Sequence, residues 1–385
     1  SYCFSNVSTD TRKLEDNSIF IALKGDNFNG NDYVASAVAK GAIICIVDEI
    51  KFHNSDLKDN TTIIRVQDTR KALRDLAKYY RSKLCIKIIG VTGSTGKTST
   101  KDLIAAALSE RFKVFKTKGN FNNEIGLPLM IFNLDESYDI AVLEMGMNNL
   151  EEIHRLADIA RPDIGVITNV GISHIENLKT RENILKAKLE IADFFGEDNT
   201  LIINGDNDLL STLQCDQYKM LKIGIDQVFD YKAENILLKE DSIEFEVKEK
   251  SQLSCSIEVP VIGIHNVLNS LLAIACGRIL GMSYEDINRG IKTLEATSMR
   301  LDVVKCDQYT IIDDSYNASP DSMKAALSIL QQMQGGRKIA ILGTMRELGD
   351  MSFAAHSEVG SFAASKDVDL LLTAGEYNEA FSQGF

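Results

Sequence analysis

The chain has 385 residues, 44% of them apolar and 25% charged, and carries a formal charge of −13 at pH 7. At roughly 150 residues per domain this length predicts two or three domains, and no apolar run reaches the ~18 residues that span a bilayer. The acidic balance opposes non-specific binding to nucleic acid or an anionic membrane, so any anionic ligand must be held by a few local cations, metal ions or backbone amides.

Apolar runs of strand length alternate with helix-length segments in three blocks. Residues 1–84 form the first, with strands expected near 18–23 and 41–47 and helices near 33–40 and 71–81, a small α/β module. The second, residues 85–297, opens with a strand at 86–91 and a glycine-rich turn. It repeats strand and helix through 140–143, 164–168 and 201–203, as a mostly parallel doubly wound sheet does. Between 231 and 261 the pattern changes: Ser242-Ile243-Glu244-Phe245-Glu246-Val247 alternates with period two, which predicts a layer of antiparallel strands. Helices follow at 266–280 and 284–294. The third block, residues 298–385, carries strands near 309–313, 338–342 and 370–373, a Rossmann-like α/β pattern that stops early. Seven cysteines scattered from Cys3 to Cys306 without a C-x-x-C pair fit reduced thiols, and with no signal segment in view a cytoplasmic site is expected.

The most specific chemical signal is Gly93-Ser94-Thr95-Gly96-Lys97-Thr98, set between an apolar strand and a helix-forming run. Glycines let backbone N–H groups surround phosphate oxygens and the helix N-terminus adds partial positive charge. Lys97 can balance the β and γ phosphates, and the Thr98 hydroxyl can hold Mg²⁺. The longer form of the motif has glycine where this chain has Val91, but the compact T-G-S-T-G-K-T form is intact, which predicts ATP binding. Glu144 ends the strand at 140–143, at the sheet edge where ligands sit in open α/β folds. Taken alone it reads better as a solvated strand-end carboxylate. His174 reads as a loop histidine, and Lys186 and Lys188 as the solvated face of a helix.

The compact phosphate loop resembles that of the Mur ligases and of their relative folylpolyglutamate synthase. The likeness extends over nearly the whole chain: Asp10-Thr11-Arg12, Lys24-Gly25-Asp26-Asn27-Phe28, Gly119-Asn120-Phe121-Asn122-Asn123-Glu124-Ile125-Gly126, and Asp313-Asp314-Ser315-Tyr316-Asn317-Ala318-Ser319-Pro320-Asp321 are similar to segments of the dipeptide-adding branch of that family. The resemblance implies a three-domain enzyme, with a UDP-sugar-binding domain, a central ATPase domain and a C-terminal ligase domain, continuing beyond both ends of the sequence given. It implies ATP and Mg²⁺ as cofactors and UDP-MurNAc-tripeptide and D-alanyl-D-alanine as substrates of a monomeric enzyme, with neither nucleic acid nor membrane as partner.

Residue by residue, the resemblance places Lys97, Glu144, His174 and Lys188 in catalysis, with Thr98, Glu144, His174 and a carbamylated Lys188 around Mg²⁺. It sets His265 and Asn266 beside adenine, and Arg300 and Asp314 on the nucleotide. Asn266 is equally a helix cap, and Asp321 a favourable helix N-terminal acid. Substrate contacts are implied for Asp10, Thr11, Arg12, Lys24, Asn31, Asn122, Asn123, Asn317 and Asp321. Thr11 stands where the family has serine, Asn29 where it has aspartate and Asn31 where it has histidine. A ligase adding a single amino acid, or a non-catalytic nucleotide switch, are the other readings. The absence of a guanine-reading N-K-x-D stretch and the dipeptide-branch segments argue against them.

Overall fold

The computed structural model describes residues 4–250, 252–295 and 299–385. Cys3 and the expected boundary at 297/298 lie outside the described residues, and the six described cysteines are unpaired.

The first block is built on four parallel strands, Val7–Ser8, Ser18–Ile21, Ala42–Val47 and Thr62–Arg65, side by side in chain order. Its helix Thr69–Arg81 begins where Asp68 accepts hydrogen bonds from Arg70 N and Lys71 N, closing the orphan donors of the first turn. The helix is strongly amphipathic. Leu73, fully buried, packs with Ile19, Ile21, Leu23 and Ile46, and this cluster continues onto Ile125, Leu129 and Phe132 of the second block. One helix therefore fastens two blocks through apolar contact.

The central sheet has nine strands. From one edge the order is Val114–Lys116, Ile140–Glu144, Lys87–Thr92, Ile164–Ile167, Thr200–Asn204, Lys219–Gly224, Tyr231–Leu238, Ile243–Glu249 and Gln252–Val259. The first seven run parallel, and the central four, Ile140–Glu144, Lys87–Thr92, Ile164–Ile167 and Thr200–Asn204, are covered on both faces, which is why their sequences are near-continuous apolar runs. Not expected from the sequence are Val7–Ser8 and Thr62–Arg65 in the first block and, in this sheet, the three-residue Val114–Lys116 and Lys219–Gly224, whose lysines at 219 and 222 interrupt the apolar run. The antiparallel strands do not make a separate layer. Tyr231–Leu238 pairs in parallel with Lys219–Gly224, Ile223 opposite Tyr231 and Gly224 opposite Lys232, and the hairpin then continues the same sheet. Ile243, Phe245 and Val247 point inward with no exposed surface, matching the period-two pattern.

From Lys87–Thr92 the chain moves first to one side of that strand and then to the other, so its C-terminal end is the switch point of the sheet, where open α/β folds place ligands. Helices Lys97–Ser109, His265–Ile279 and Tyr284–Ile291 cover one face, and Glu152–Ala160 and Arg181–Leu189 lie against the other.

The third block carries the antiparallel hairpin Asp302–Lys305 and Thr310–Asp313, the parallel pair Ile339–Gly343 and Leu370–Ala374, and helices Pro320–Gln332 and Ser352–Ser365. The three expected strands are present; Asp302–Lys305 was not expected. Met323, Leu327, Met345 and Leu348 belong to the same apolar cluster as Ile175, Leu178 and Ile184 of the second block. Among the described residues no helix is long and apolar enough to cross a membrane.

Gly290 sets how closely the helix Tyr284–Ile291 approaches the phosphate-loop helix. A Cβ there would lie 2.4 Å from Ala106 O and 2.7 Å from Ala107 O, both rigid backbone atoms. Gly290→Ala is expected to cost about 1–3 kcal/mol of stability, measured by denaturant unfolding. An unchanged midpoint would show that the two helices can separate freely.

Candidate active site

The phosphate loop joins Lys87–Thr92 to Lys97–Ser109, and neighbouring strand ends hold it in place. Ser94 N donates to Asn169 O at 3.1 Å, Thr95 N to Asn169 Oδ1 at 2.9 Å, and Thr168 Oγ1 to Thr95 O at 2.5 Å. Gly93 has φ 154°, and a Cβ there would fall 1.8 Å from Thr168 Oγ1, so the loop and the end of Ile164–Ile167 could not meet with any other residue. Gly96, with φ 78°, turns the chain into the helix. Lys97 Nζ reaches back to Gly93 O at 2.7 Å.

Glu144 is buried at 3% exposure at the end of its strand. One carboxylate oxygen accepts from the Thr98 hydroxyl at 3.0 Å and the other from Asn122 Nδ2 at 2.9 Å, while its backbone N–H donates to Thr117 Oγ1 at 2.9 Å. The solvated reading of this residue is thereby excluded. The Thr98–Glu144 pair offers a hydroxyl and one carboxylate, the donor set Mg²⁺ takes when phosphates and waters fill its remaining positions.

His174 has φ 65° and precedes the short helix Ile175–Leu178. Its Nδ1 meets Glu347 of the third block. Burial lowers the His174 pKa, as do Lys97 and Lys188, while Glu347 opposes. Lys188 is 1% exposed and makes no hydrogen bond or ion pair among the described residues, whereas Lys186 is exposed. The expected solvated face is thus corrected for Lys188. The signal was in the sequence, because Ile184, Ala187, Lys188 and Ile191 follow i, i+3, i+4, i+7 spacing and Lys188 occupies a core position. Burial, then Lys97, hold its amine well below the usual lysine range. A buried neutral amine is nucleophilic and lacks an anion, which suits conversion to a carbamate. Lys97 is also pushed down by burial, with Glu144 opposing.

A cavity of about 560 Å³ runs from the phosphate loop to the third block, lined by Lys97, Thr98, Glu144, His265, Asn266, Arg300, Asp314, Asn317 and Asp321. Burial pushes the His265 imidazole down to about 4. Asn266 donates to Ile262 O at 2.8 Å and accepts from Asn269 Nδ2 at 2.9 Å, so its amide is occupied in ordering the helix start, as a cap residue's would be. Asn269, not foreseen, lies one turn on; it accepts from Thr100 at 3.1 Å and stands against Gly96. Arg300 sits between Met299 and Leu301, both with left-handed φ, its guanidinium 4.3 Å from the Tyr316 ring centre. Asp314 Oδ1 accepts from Leu301 N at 3.3 Å, and burial raises its carboxyl to about 6 against the pull of Arg300.

His174, Lys188, Asn122 and Asn123 do not line that cavity. Asn122 reaches it through Glu144, but the Asn123 oxygen accepts from Ile125 N and Gly126 N and starts the helix Gly126–Ile131. The first-block candidates also stand apart from it. Arg12 pairs in a fork with Asp10, holding the Asp10 carboxyl down to about 2, and Thr11 opens the turn between them. Lys24 pairs with Glu49 at 2.6 Å and Asp48 at 3.1 Å. Asn31 has no exposed surface, and its amide is fully used by Asn29, Asp48 and Glu49. The structure thus gives Asn31 the task of holding that loop and presents no part of it to a ligand.

Three family models match in succession: the Mur ligase family catalytic domain over residues 4–81, the Mur ligase middle domain over 91–277, and the Mur ligase glutamate ligase domain over 299–383. The UDP-N-acetylmuramoyl-tripeptide–D-alanyl-D-alanine ligase of Bacillus subtilis is 41% identical over 380 residues, covering 98% of this chain and 81% of the relative. The chain belongs to the Mur ligase family. Among solved Mur ligases, MurF from Acinetobacter baumannii superposes with a TM-score of 0.91 at 32% identity, covering 99% of this chain and 83% of that one. MurF from Thermotoga maritima in complex with ADP superposes with a TM-score of 0.84 at 26% identity, covering 98% and 96%. The three-domain α/β architecture implied by the resemblance is that of these structures.

The raised Asp314 carboxyl gives a test of the cavity's electrostatics. Its folded-state value lies above the unfolded one, so ionisation destabilises the fold above about pH 6 and the penalty vanishes as pH falls toward the ordinary aspartate value. Ligand-free Asp314→Asn is therefore expected to melt higher than the parent at pH 7.5, with the gap closing by pH 4. A gap independent of pH would contradict this assignment.

Proposed function

We propose that this Mur ligase joins D-alanyl-D-alanine to UDP-MurNAc-tripeptide in an ATP-dependent reaction, the activity carried by the names of its relatives. The observation that supports it most directly is the gathering of Glu144, His174 and Lys188 around the phosphate loop and its Lys97, next to a cavity whose far wall is Arg300, Asp314, Asn317 and Asp321. In this reading residues 1–84 take the UDP-sugar, 85–297 the ATP and 298–385 the incoming dipeptide. Both substrates of the first step are nucleotides, which supports a cytoplasmic reaction.

The phosphate-loop amides of Gly93, Ser94, Thr95 and Gly96 would surround the nucleotide's phosphates, with Lys97 balancing their charge. His265 borders the adenine end, and Arg300 and Asp314 close on the nucleotide from the third block. Thr98 and Glu144 would hold one Mg²⁺, and His174 with carbamylated Lys188 a second. Bound there, the ions would neutralise charge on the transferring phosphoryl group. Lys188 gains the carboxylate-like group when its neutral amine adds to carbon dioxide and releases a proton.

The γ-phosphoryl of ATP passes to the terminal carboxylate of the tripeptide, giving an acyl phosphate and ADP. The amine of the dipeptide, shed of its proton, then attacks the acyl carbon, the carbon–oxygen bond to phosphate breaks, and inorganic phosphate leaves. Asn317 and Asp321, at the start of the helix Pro320–Gln332, are placed to hold the dipeptide, and Asn122 to meet the acceptor peptide next to Glu144. Asp10, Thr11, Arg12 and Lys24 would contact the UDP-sugar.

Phosphate release with ATP and UDP-MurNAc-tripeptide should require D-alanyl-D-alanine, with a matching mass gain in the UDP-linked product; release with a single amino acid instead would move the chain to another branch of the family. Lys97→Ala is expected to lower kcat by about 10²–10³ or more. Near-normal turnover in that variant would sink the assignment.

A further inference from the structure

Glu347 lies in the third block, on the loop that follows the strand Ile339–Gly343, and no motif in the sequence singles it out. Its φ is 62°, a left-handed conformation that costs energy for any residue with a Cβ. Two contacts hold it so. Its backbone carbonyl accepts from Glu176 N at 3.1 Å, and its carboxylate meets His174 Nδ1, two residues earlier on the same turn of the second block.

The loop is anchored behind this contact. Met345 N donates to His356 Nε2 at 2.9 Å, His356 Nδ1 lies 2.6 Å from Ser352 O, and Leu348 is buried at 2% exposure. The Glu347 side chain is half-exposed, but the loop that delivers its carboxylate is fixed at both sides by these contacts. His174 Nδ1 is buried without a well-aligned hydrogen bond, and the carboxylate it lies against among the described residues is that of Glu347. With Nδ1 facing that carboxylate, Nε2 is the nitrogen left for a ligand. Metal-binding imidazoles characteristically give their second nitrogen to a carboxylate, which fixes both tautomer and ring orientation.

We infer that Glu347 is a positioning residue that orients His174 toward its divalent ion from across the boundary between the second and third blocks. The inference rests on the metal-binding reading of His174 given above. It makes one of the two ion positions depend on docking of the third block, while the Thr98–Glu144 position is complete within the second.

The test is Mn²⁺ titration followed by electron paramagnetic resonance, in bicarbonate buffer with a non-hydrolysable ATP analogue, on the parent and on Glu347→Gln and Glu347→Gly. Glycine removes the carboxylate and tolerates the left-handed backbone, so loss of folding is not the expected result. The parent should bind two ions per chain. In the variants one should weaken by about 10–100-fold, more in Glu347→Gly than in Glu347→Gln, with the other ion unchanged. The kcat for amide formation should fall with it, at constant KM for the dipeptide. Two unchanged ions in both variants would overturn the inference alone. Equal weakening of both ions with a lower melting temperature would also overturn it, since that marks a merely structural contact. A single ion in the parent would remove the metal-binding reading of His174 as well.

Discussion

A carboxylate taken out of water must be met by donors, and much of the site's geometry follows from how Glu144 satisfies that requirement. Its two oxygens are divided between the Thr98 hydroxyl and the Asn122 amide, and its backbone N–H is held by Thr117. These three partners come from the phosphate-loop helix and from the segment between Lys116 and the helix Gly126–Ile131. One buried acid therefore fixes the register of the phosphate loop against the loop proposed to meet the acceptor peptide. An error in either would leave a charge unpaired in the interior.

Around this acid the balance of charge is reversed relative to the chain as a whole. The protein carries −13, yet Lys97, His174 and Lys188 draw together, and burial pushes all three toward the neutral form, helped by Arg300 at Lys97, by Lys97 at Lys188 and by both lysines at His174. Glu347, reaching over from the third block, supplies part of the missing negative charge. Such a site gains from an anionic ligand and from conversion of Lys188 to a carbamate by the same physical reasoning: each relieves repulsion among cations that are short of partners.

Local strings carried most of what was legible in the sequence. The phosphate loop is a contiguous motif between a strand and a helix, and Glu144 follows directly from being the last residue of an apolar strand. Residues whose roles depend on what packs against them were harder to read. Lys188 sits on an apolar stripe that its lysine identity disguised. Asn31 was implied as a substrate contact, and its buried, loop-holding role could not be read because its partners Asp48 and Glu49 lie 17 and 18 positions away. Glu347 is matched to His174 only by docking of the third block. The same holds for the fold. Strands with full apolar runs were found, while Val114–Lys116 was too short to show a period and Lys219–Gly224 too interrupted by lysine. The junction of the antiparallel hairpin with the parallel sheet rests on a pairing of two residues, which no periodicity reveals.

The apolar cluster shared by the second and third blocks governs how the third block can move. Swinging it away would bring Met345 and Leu348 into contact with water, so opening is a small hydrophobic dissociation and not the breaking of a few ion pairs. Such a step carries a positive heat-capacity change and becomes easier on cooling near room temperature. Added salt, which screens exposed charge, acts mainly on the polar contacts at its rim. For an enzyme of this architecture, temperature rather than ionic strength is then the stronger control over how often the cavity stands open.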